Sequence, residues 1–259
     1  MSEGRWPVGI LKRSRGADRY GEKRPLPRAY SVAGQGKREY QQDSFVFSCV
    51  RDSEGAVFAA ALCDGMGGMA DGSEIADATA RAALRLCFTG EDCREGIMEI
   101  SRGVYEKYRG AGGATLVLTR IREGKLEFWS VGDSELRLLR RGKMYLLNVL
   151  HTNQNELYSL AAAGRISVEE ARECAQPHAL SQYIGAKRVS PDQFARRFTL
   201  CRGDALLLCS DGVSGTLSEK QLARLMSLSP ESCCEGIERE IAAADAPGQD
   251  NYSAIAIKI

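Results

Sequence analysis

Between residues 114 and 148 the chain runs through four short apolar stretches, ATLVLTRI, KLEFWSVGDS, ELRLLRRG and KMYLLN, with no room for a helix between them. That spacing limits the fold more than any other feature. Parallel neighbours need a long crossover, whereas antiparallel neighbours need only a tight hairpin. Glu123-Gly124 and Arg141-Gly142 offer the residue types that such hairpins use. The four stretches are therefore read as an antiparallel meander, and a doubly wound parallel sheet fits worse.

The rest of the chain supplies more strands and blocks of helix. YSVAG and DSFVFSCV flank a polar loop, and AVFAAALCD reads as a buried strand. QFARRFTL, DALLLCSD and NYSAIAIKI read as later strands. GSEIADATARAALRLCF sets Ile75, Ala76, Thr79, Ala83, Leu84 and Cys87 at helical spacing, with Ser73 as its N-cap, and residues 94–108 continue as a second helix. Residues 154–163 and 167–175 read as helices parted by Gly164, and SEKQLARLMSL and PESCCEGIEREIAAA as helices before the last strand. The expected class is α+β: a central antiparallel β-sandwich flanked by helices on both outer faces, an αββα arrangement of four layers.

Charge and cysteine usage narrow the setting. Residues 1–28 hold eight Lys or Arg against three acids and lack periodicity, so they are read as a basic arm. Residues 29–259 are read as a single domain. A net charge of +1 calls for no polyanion, and no nucleic-acid partner is expected. The nine cysteines are odd in number, and several lie in strand-like runs (Cys63, Cys209) or helix-like ones (Cys87, Cys233). They suggest reduced thiols in a reducing compartment. With no leader and no run long enough to span a membrane, a cytoplasmic protein is expected.

Several chemistries drop out. His151 and His178 are the only histidines, and neither has a partner at metal-ligand spacing. GAGGATL lacks the ending of a phosphate-binding Walker loop and reads as a helix-to-strand turn. Cys233, Gly236 and Arg239 share the spacing of a cysteine phosphatase loop, but Pro230-Glu231-Ser232 before them suits a helix start.

What recurs is an aspartate at a strand end. Asp64 follows VFAAALC, Asp211 follows ALLLCS, Asp43 precedes SFVFSCV and Asp250 precedes NYSAIAIKI. Any one of them could be a turn residue bonding nearby amides. If the strand ends open on one rim, the carboxylates converge and repel, and divalent cations resolve the repulsion. Oxygen ligands without His or Cys select Mg²⁺ or Mn²⁺, and such clusters suit phosphoryl transfer. Arg38, in GKREYQQDSF, is the complementary charge, with a guanidinium able to grip two phosphate oxygens.

GKREYQQDSF, ALCDGMGGMADG, GATLVL, SVGDSELRLLRRGKMYLL, LSQYIGA, GDALLLCSDGVSG and GQDNYSAIAI stand in this order over about residues 30–259. On these pieces the chain resembles the metal-dependent protein phosphatases, the type 2C serine/threonine phosphatases, in their bacterial form. The resemblance implies two Mn²⁺ or Mg²⁺ ions. Asp64 would bridge them, the Gly65 carbonyl would bind one, and Asp211 and Asp250 would hold the other. Asp43 would act near the metals through bound water, Arg38 would hold the substrate phosphate, and Asn251 would orient the neighbouring loop. A water activated by the metals would attack phosphorus in line, with no phosphoenzyme. Substrates would be phosphoproteins, with a Ser/Thr kinase or its targets as partners, and a monomer is expected. Residues 151–192 lie where the family carries a variable flap.

The chain also departs from the pattern. Gln41-Gln42 replaces the family's Asn-Glu pair or lone Glu, Met66 stands where animal members have His, and Glu135 stands where Arg is common. Asp133 matches one acid of a third-metal pair, but Gly215 replaces the other, so weak or absent third-metal binding is expected. A degenerate domain acting as a binding or regulatory module is the alternative reading.

Overall fold

The computed structural model describes residues 26–52, 55–67, 70–193 and 198–259, so most of the basic arm lies outside the described residues. In chain order the elements are β1 (Arg28–Gly34), β2 (Ser44–Asp52), β3 (Gly55–Cys63), β4 (Gly65–Gly67), α1 (Ala70–Thr89), α2 (Cys93–Tyr108), β5 (Gly112–Ala114), β6 (Leu116–Arg122), β7 (Lys125–Val131), β8 (Glu135–Arg140) and β9 (Lys143–Leu146). They continue with α3 (Asn153–Ala162), α4 (Val168–Arg172), β10 (Asp192–Gln193), β11 (Phe198–Thr199), β12 (Ala205–Cys209), α5 (Asp211–Ser214), α6 (Glu219–Met226), α7 (Pro230–Ala244) and β13 (Tyr252–Lys258).

One sheet has five strands in the order β1-β13-β12-β8-β9. The other has six, ordered β10-β7-β6-β3-β2 with β11 also beside β7. Alternation along β3 and β12 shows why the two sheets stack. Phe58, Ala60 and Leu62 of β3 face the other sheet and meet Leu206 and Leu208 of β12 and Ile255 and Ile257 of β13. The residues between them, Ala59, Ala61 and Cys63, pack under Ile75, Ala76, Ala80 and Ala83 of α1 and Ile97 of α2. On the opposite side Ala205, Leu207 and Cys209 lie under Leu222 and Leu225 of α6 and Ile237 and Ile241 of α7. Helix, sheet, sheet and helix are thus the four layers, as the sequence led us to expect.

The hairpin turns are where the sequence put them. Glu123 and Gly124 have φ of 51° and 71°, and Arg141 and Gly142 have 51° and 74°, the left-handed pairs of tight hairpins. Three expectations need correction. The stretch 114–148 is not one meander: β6 pairs with β7 and β8 with β9, but the chain changes sheet between β7 and β8. The change occurs at Gly132, whose φ is 97° and where a Cβ would stand 2.7 Å from Thr115 Cγ2. Ser73 is no N-cap, because α1 already begins at Ala70. The arm read through residue 28 ends earlier, since Arg28 pairs with Lys258 at the start of β1. Of QFARRFTL, β10 and β11 hold the two ends, and positions 194–197 lie outside the described residues.

Leu208 is fully buried between the sheets. Leu208→Ala should cost about 3 kcal/mol of stability, read as a lower urea midpoint with an unchanged slope.

Candidate active site

Sheet register decides which aspartates meet. Ser44 of β2 pairs with Cys63 of β3, so Asp43 and Asp64 leave those strands at the same end. Cys209 of β12 pairs with Ala254 of β13, which brings Asp211 and Asp250 to one end of the other sheet. Glu135 of β8 pairs with Cys209, so Asp133, in the crossing between sheets, stands beside Asp211.

Hydrogen bonds join the two sheet ends. Ser210 Oγ donates to Asp43 Oδ2 at 2.7 Å and accepts from Ser253 N at 3.0 Å. Asp64 N donates to Thr115 Oγ1 at 2.9 Å, and Thr115 N donates to Asp64 O at 2.8 Å. The hydroxyls of Thr115 and Ser134 lie 2.7 Å apart, tying the Asp64 corner to the loop that carries Asp133. That loop is gripped from its other side. Asn148 Oδ1 accepts from Leu136 N at 2.8 Å, and His151 Nδ1 accepts from Gly132 N at 3.1 Å.

Backbones approach closely at two corners. A Cβ on Gly65 would lie 2.3 Å from the Gly72 carbonyl oxygen and 2.6 Å from that of Gln42. A Cβ on Gly212 would lie 1.9 Å from the Asn251 carbonyl oxygen. Both corners require glycine.

The electrostatics follow from this crowding. Burial pushes Asp64 up to about 10, and the charges of Asp43, Asp211, Asp133 and Asp250 add to the rise. Burial pushes Asp43 up to about 6 against the bond from Ser210, with Asp211 and Asp250 raising it further. Asp133 rises to about 6 through burial and Asp211, while His178 pulls it down. Asp211 is raised by burial and Asp250, and its bond to Asp64 and the nearby Arg38 charge lower it. Five carboxylates therefore feel one another, and Asp64 and Asp211 shift each other's titration.

Arg38 Nη2 donates to Asp250 Oδ2 at 2.5 Å, and Asn251 N donates to Asp250 Oδ1 at 2.7 Å. Asn251 also holds the Arg38 loop, with Nδ2 donating to Gln35 O at 2.8 Å and Tyr40 O at 2.9 Å and Oδ1 accepting from Gln42 N at 2.9 Å. Gln42 O in turn accepts from Gly65 N at 3.1 Å. Gly215 ends α5 and is exposed, so no acid faces Asp133 from that position. Glu135 is buried and ion-paired with Arg137.

A divalent ion suits this donor set. Asp43 Oδ1 is buried and has no partner among the described residues. The surrounding donors are carboxylates, the chemistry of hard cations. Among the described residues no three His, Cys, Asp or Glu side chains already form a ligand cage. The Arg38–Asp250 pair occupies an oxygen that an ion would take.

Other sequence features fall away from the rim. Cys233 sits in the first turn of α7, buried, its thiol pushed up to about 12 by burial, with Ser229 as the N-cap and Pro230 in the first turn. That is a structural cysteine, not a phosphate-binding nucleophile. Residues 151–192 form α3, α4 and a return segment, which reaches the site where Ile184 N and Ala114 N each bond the other's carbonyl at 2.8 and 3.0 Å.

The sequence reading missed Ser210, Thr115 and Gln249. Gln249 is buried and donates to Gly212 O at 2.9 Å and Asp250 O at 3.1 Å. The position of Ser210, next to Asp211 at a strand end, was the one available signal.

A family model described as Protein phosphatase 2C matches residues 35–239. Protein phosphatase PhpP of Streptococcus pneumoniae serotype 2 is 32% identical over 126 residues, 48% of this chain and 49% of that protein, so the match spans about half the length of that relative. The serine/threonine phosphatase stp of Listeria monocytogenes serovar 1/2a is 26% identical over 218 residues, 76% of this chain and 82% of that one. Among solved structures, the catalytic domain of the serine/threonine protein phosphatase PstP in complex with two manganese ions shares the fold. Its TM-score is 0.68 and its identity 24%, over 90% of this chain and 97% of that one.

Asp43 supplies a pH test of the carboxylate crowding. A carboxyl raised from 3.8 to about 6 holds its proton more tightly when folded. Its contribution to stability is full below about pH 4 and is lost as pH rises through about 6. In EDTA, Asp43 should therefore lower stability by about 3 kcal/mol between pH 4 and 7, with Asp64 and Asp133 deepening the fall, read by thermal melts, and Mn²⁺ should flatten the profile. A flat profile in EDTA would contradict the crowding.

Proposed function

Because the chain belongs to the protein phosphatase 2C family, we propose that it is a metal-dependent protein phosphatase that hydrolyses phosphoserine and phosphothreonine. The observation that carries this reading is the meeting of Asp43, Asp64, Asp211 and Asp250 at one rim, with Arg38 bonded to Asp250. Asp64, Asp211 and Asp250, with the Gly65 carbonyl and with Asp43 acting through water, would hold two Mn²⁺ or Mg²⁺ ions, which when bound supply charge neutralisation and an acidified water for attack on phosphorus.

The chain's own residues do the rest. Arg38 is exposed enough to leave Asp250 and take two phosphate oxygens in its planar fork. Asn251 and Gln42 support that exchange, because they fasten the Arg38 loop to the Gly65 corner. Asp43 accepts the Ser210 hydroxyl with one oxygen and keeps the other free to accept. Arg38, Asp64 and Asp211 are thus assigned the catalytic roles. Met66 cannot give a proton, so no side-chain acid is assigned at that corner. Asp133 is a lone acid for a third ion, which supports weak binding there.

Phosphoproteins are the substrate class that follows, with a Ser/Thr kinase or its targets as partners. No helix among the described residues is long and apolar enough to cross a membrane. We take the chain as a cytoplasmic monomer of one domain, with residues 151–192 as a flap that tunes substrate choice.

Hydrolysis of p-nitrophenyl phosphate and of a phosphothreonine peptide should require Mn²⁺ or Mg²⁺ and stop in EDTA. Asp211→Asn should lower kcat/KM by about a hundredfold or more, about 2.7 kcal/mol of transition-state stabilisation. EDTA-insensitive turnover would refute the metal-dependent reading, and no turnover at any Mn²⁺ level would leave a binding module. Cys233→Ser should keep its turnover, since that thiol is buried on the inner face of α7; loss of all activity with the fold intact would restore the cysteine reading.

A further inference from the structure

Gln249 stands in the turn before β13, and it is only 5% exposed. The ladder between β12 and β13 stops short of that turn. Its last contacts at the rim are the pairing of Cys209 with Ala254 and the bond from Ser210 N to Ser253 O at 3.0 Å. Asp211 and Asp250 both lie beyond these, Asp211 opening α5 and Asp250 in the turn. Their separation is therefore set by what ties the start of α5 to the turn.

The Gln249 carboxamide is that tie. Its Nε2 donates to Gly212 O at 2.9 Å and to Asp250 O at 3.1 Å, and its Oε1 accepts from Thr216 Oγ1 at 2.7 Å. Two N–H donors and one carbonyl acceptor are all engaged, a combination that a carboxamide offers and a carboxylate does not. The backbone of the same residue reaches the other half of the rim. Lys37 N donates to Gln249 O at 2.8 Å, and a Cβ on Gly36 would lie 2.6 Å from that oxygen and 2.2 Å from Asp250 O. Burial and then the Asp250 charge raise the Asp211 carboxyl, so the two acids push apart across the gap that the carboxamide spans.

Resting on the metal-dependent phosphatase reading, we propose that Gln249 is a positioning residue: its carboxamide sets the separation of Asp211 and Asp250, and so the strength with which that pair takes a divalent ion. A ligand pair already held at its working separation binds more tightly than one that must be drawn together, and partners behind metal ligands are worth about ten- to a hundredfold in affinity. Gln249→Met keeps the length and bulk of the side chain but has no N–H to give. The Thr216 hydroxyl can then turn fully to Gly212 O, 3.0 Å away, so that carbonyl keeps a donor. Asp250 O loses the Gln249 donor, and the tie between α5 and the turn is cut.

Calorimetric titration of the full-length protein with Mn²⁺, after EDTA treatment and desalting, is the test. In Gln249→Met, Mn²⁺ binding at one site should weaken by about tenfold or more relative to the unaltered protein. At saturating Mn²⁺, kcat and KM for p-nitrophenyl phosphate should stay within about threefold, because the Lys37 bond is to the backbone carbonyl and survives the substitution. Leu126→Ala opens a cavity at the end of β7 away from Gly132; it should lose stability and keep the Mn²⁺ affinity, which separates positioning from general loosening. Thr216→Val frees the Oε1 side of the carboxamide and should weaken the same site by a smaller factor; it is the variant to read if Gln249→Met does not fold. Unaltered Mn²⁺ affinity in the folded variant, or an equal loss in Leu126→Ala, overturns the inference and leaves the phosphatase reading standing. An unaltered protein that takes up no Mn²⁺ overturns that reading and the inference with it.

Discussion

Phe58, Ala60 and Leu62 point from β3 into the space between the sheets, where Leu206 and Leu208 of β12 meet them, while Ala59, Ala61 and Cys63 pack under α1. A strand buried on both faces has no solvent side to tolerate error. A slip of one residue would exchange the two sets and place Phe58 against a helix seated over alanines. The register of β3 with β2, and of β12 with β13, is therefore tightly held. That register is what delivers Asp43, Asp64, Asp211 and Asp250 to one rim.

The rim stores a cost that the core offsets. Asp64, Asp43 and Asp133 all stand above the ordinary carboxylate range because each is buried near other acids. A fold selected for stability alone would not gather them. The raised pKa of Asp64 and the Arg38–Asp250 pair contain the repulsion. Divalent ions would contain it better, and Arg38 would then be released to a phosphate. The same features that lower the stability of the bare protein thus prepare it for its ligands.

Much of this site was legible because its signal is local. An aspartate that ends or begins an apolar run can be seen without a structure, and Asp43, Asp64, Asp211 and Asp250 were all found so. Ser210, Thr115 and Gln249 were not, since a buried hydroxyl or amide announces itself only through what it touches. Ser73 misled for the opposite reason: it is a good capping residue, but α1 starts earlier and takes it into the first turn. The need for glycine at position 65 was equally hidden, because its reason is the neighbouring Gly72 carbonyl.

The sequence by itself determined the elements, the two-sided burial of β3 and β12 and the placing of acids at strand ends. Those depend on residue type and spacing within a dozen positions or so, which the chain writes directly. Only the tertiary structure decided that KLEFWSV and ELRLLR belong to different sheets. A hairpin and a crossing between sheets can use the same short polar link, and the choice rests on which faces bury together. The tertiary structure likewise decided that Ser210 bonds Asp43 and that Asp64 bonds Thr115, because both contacts arise from how the strands pack.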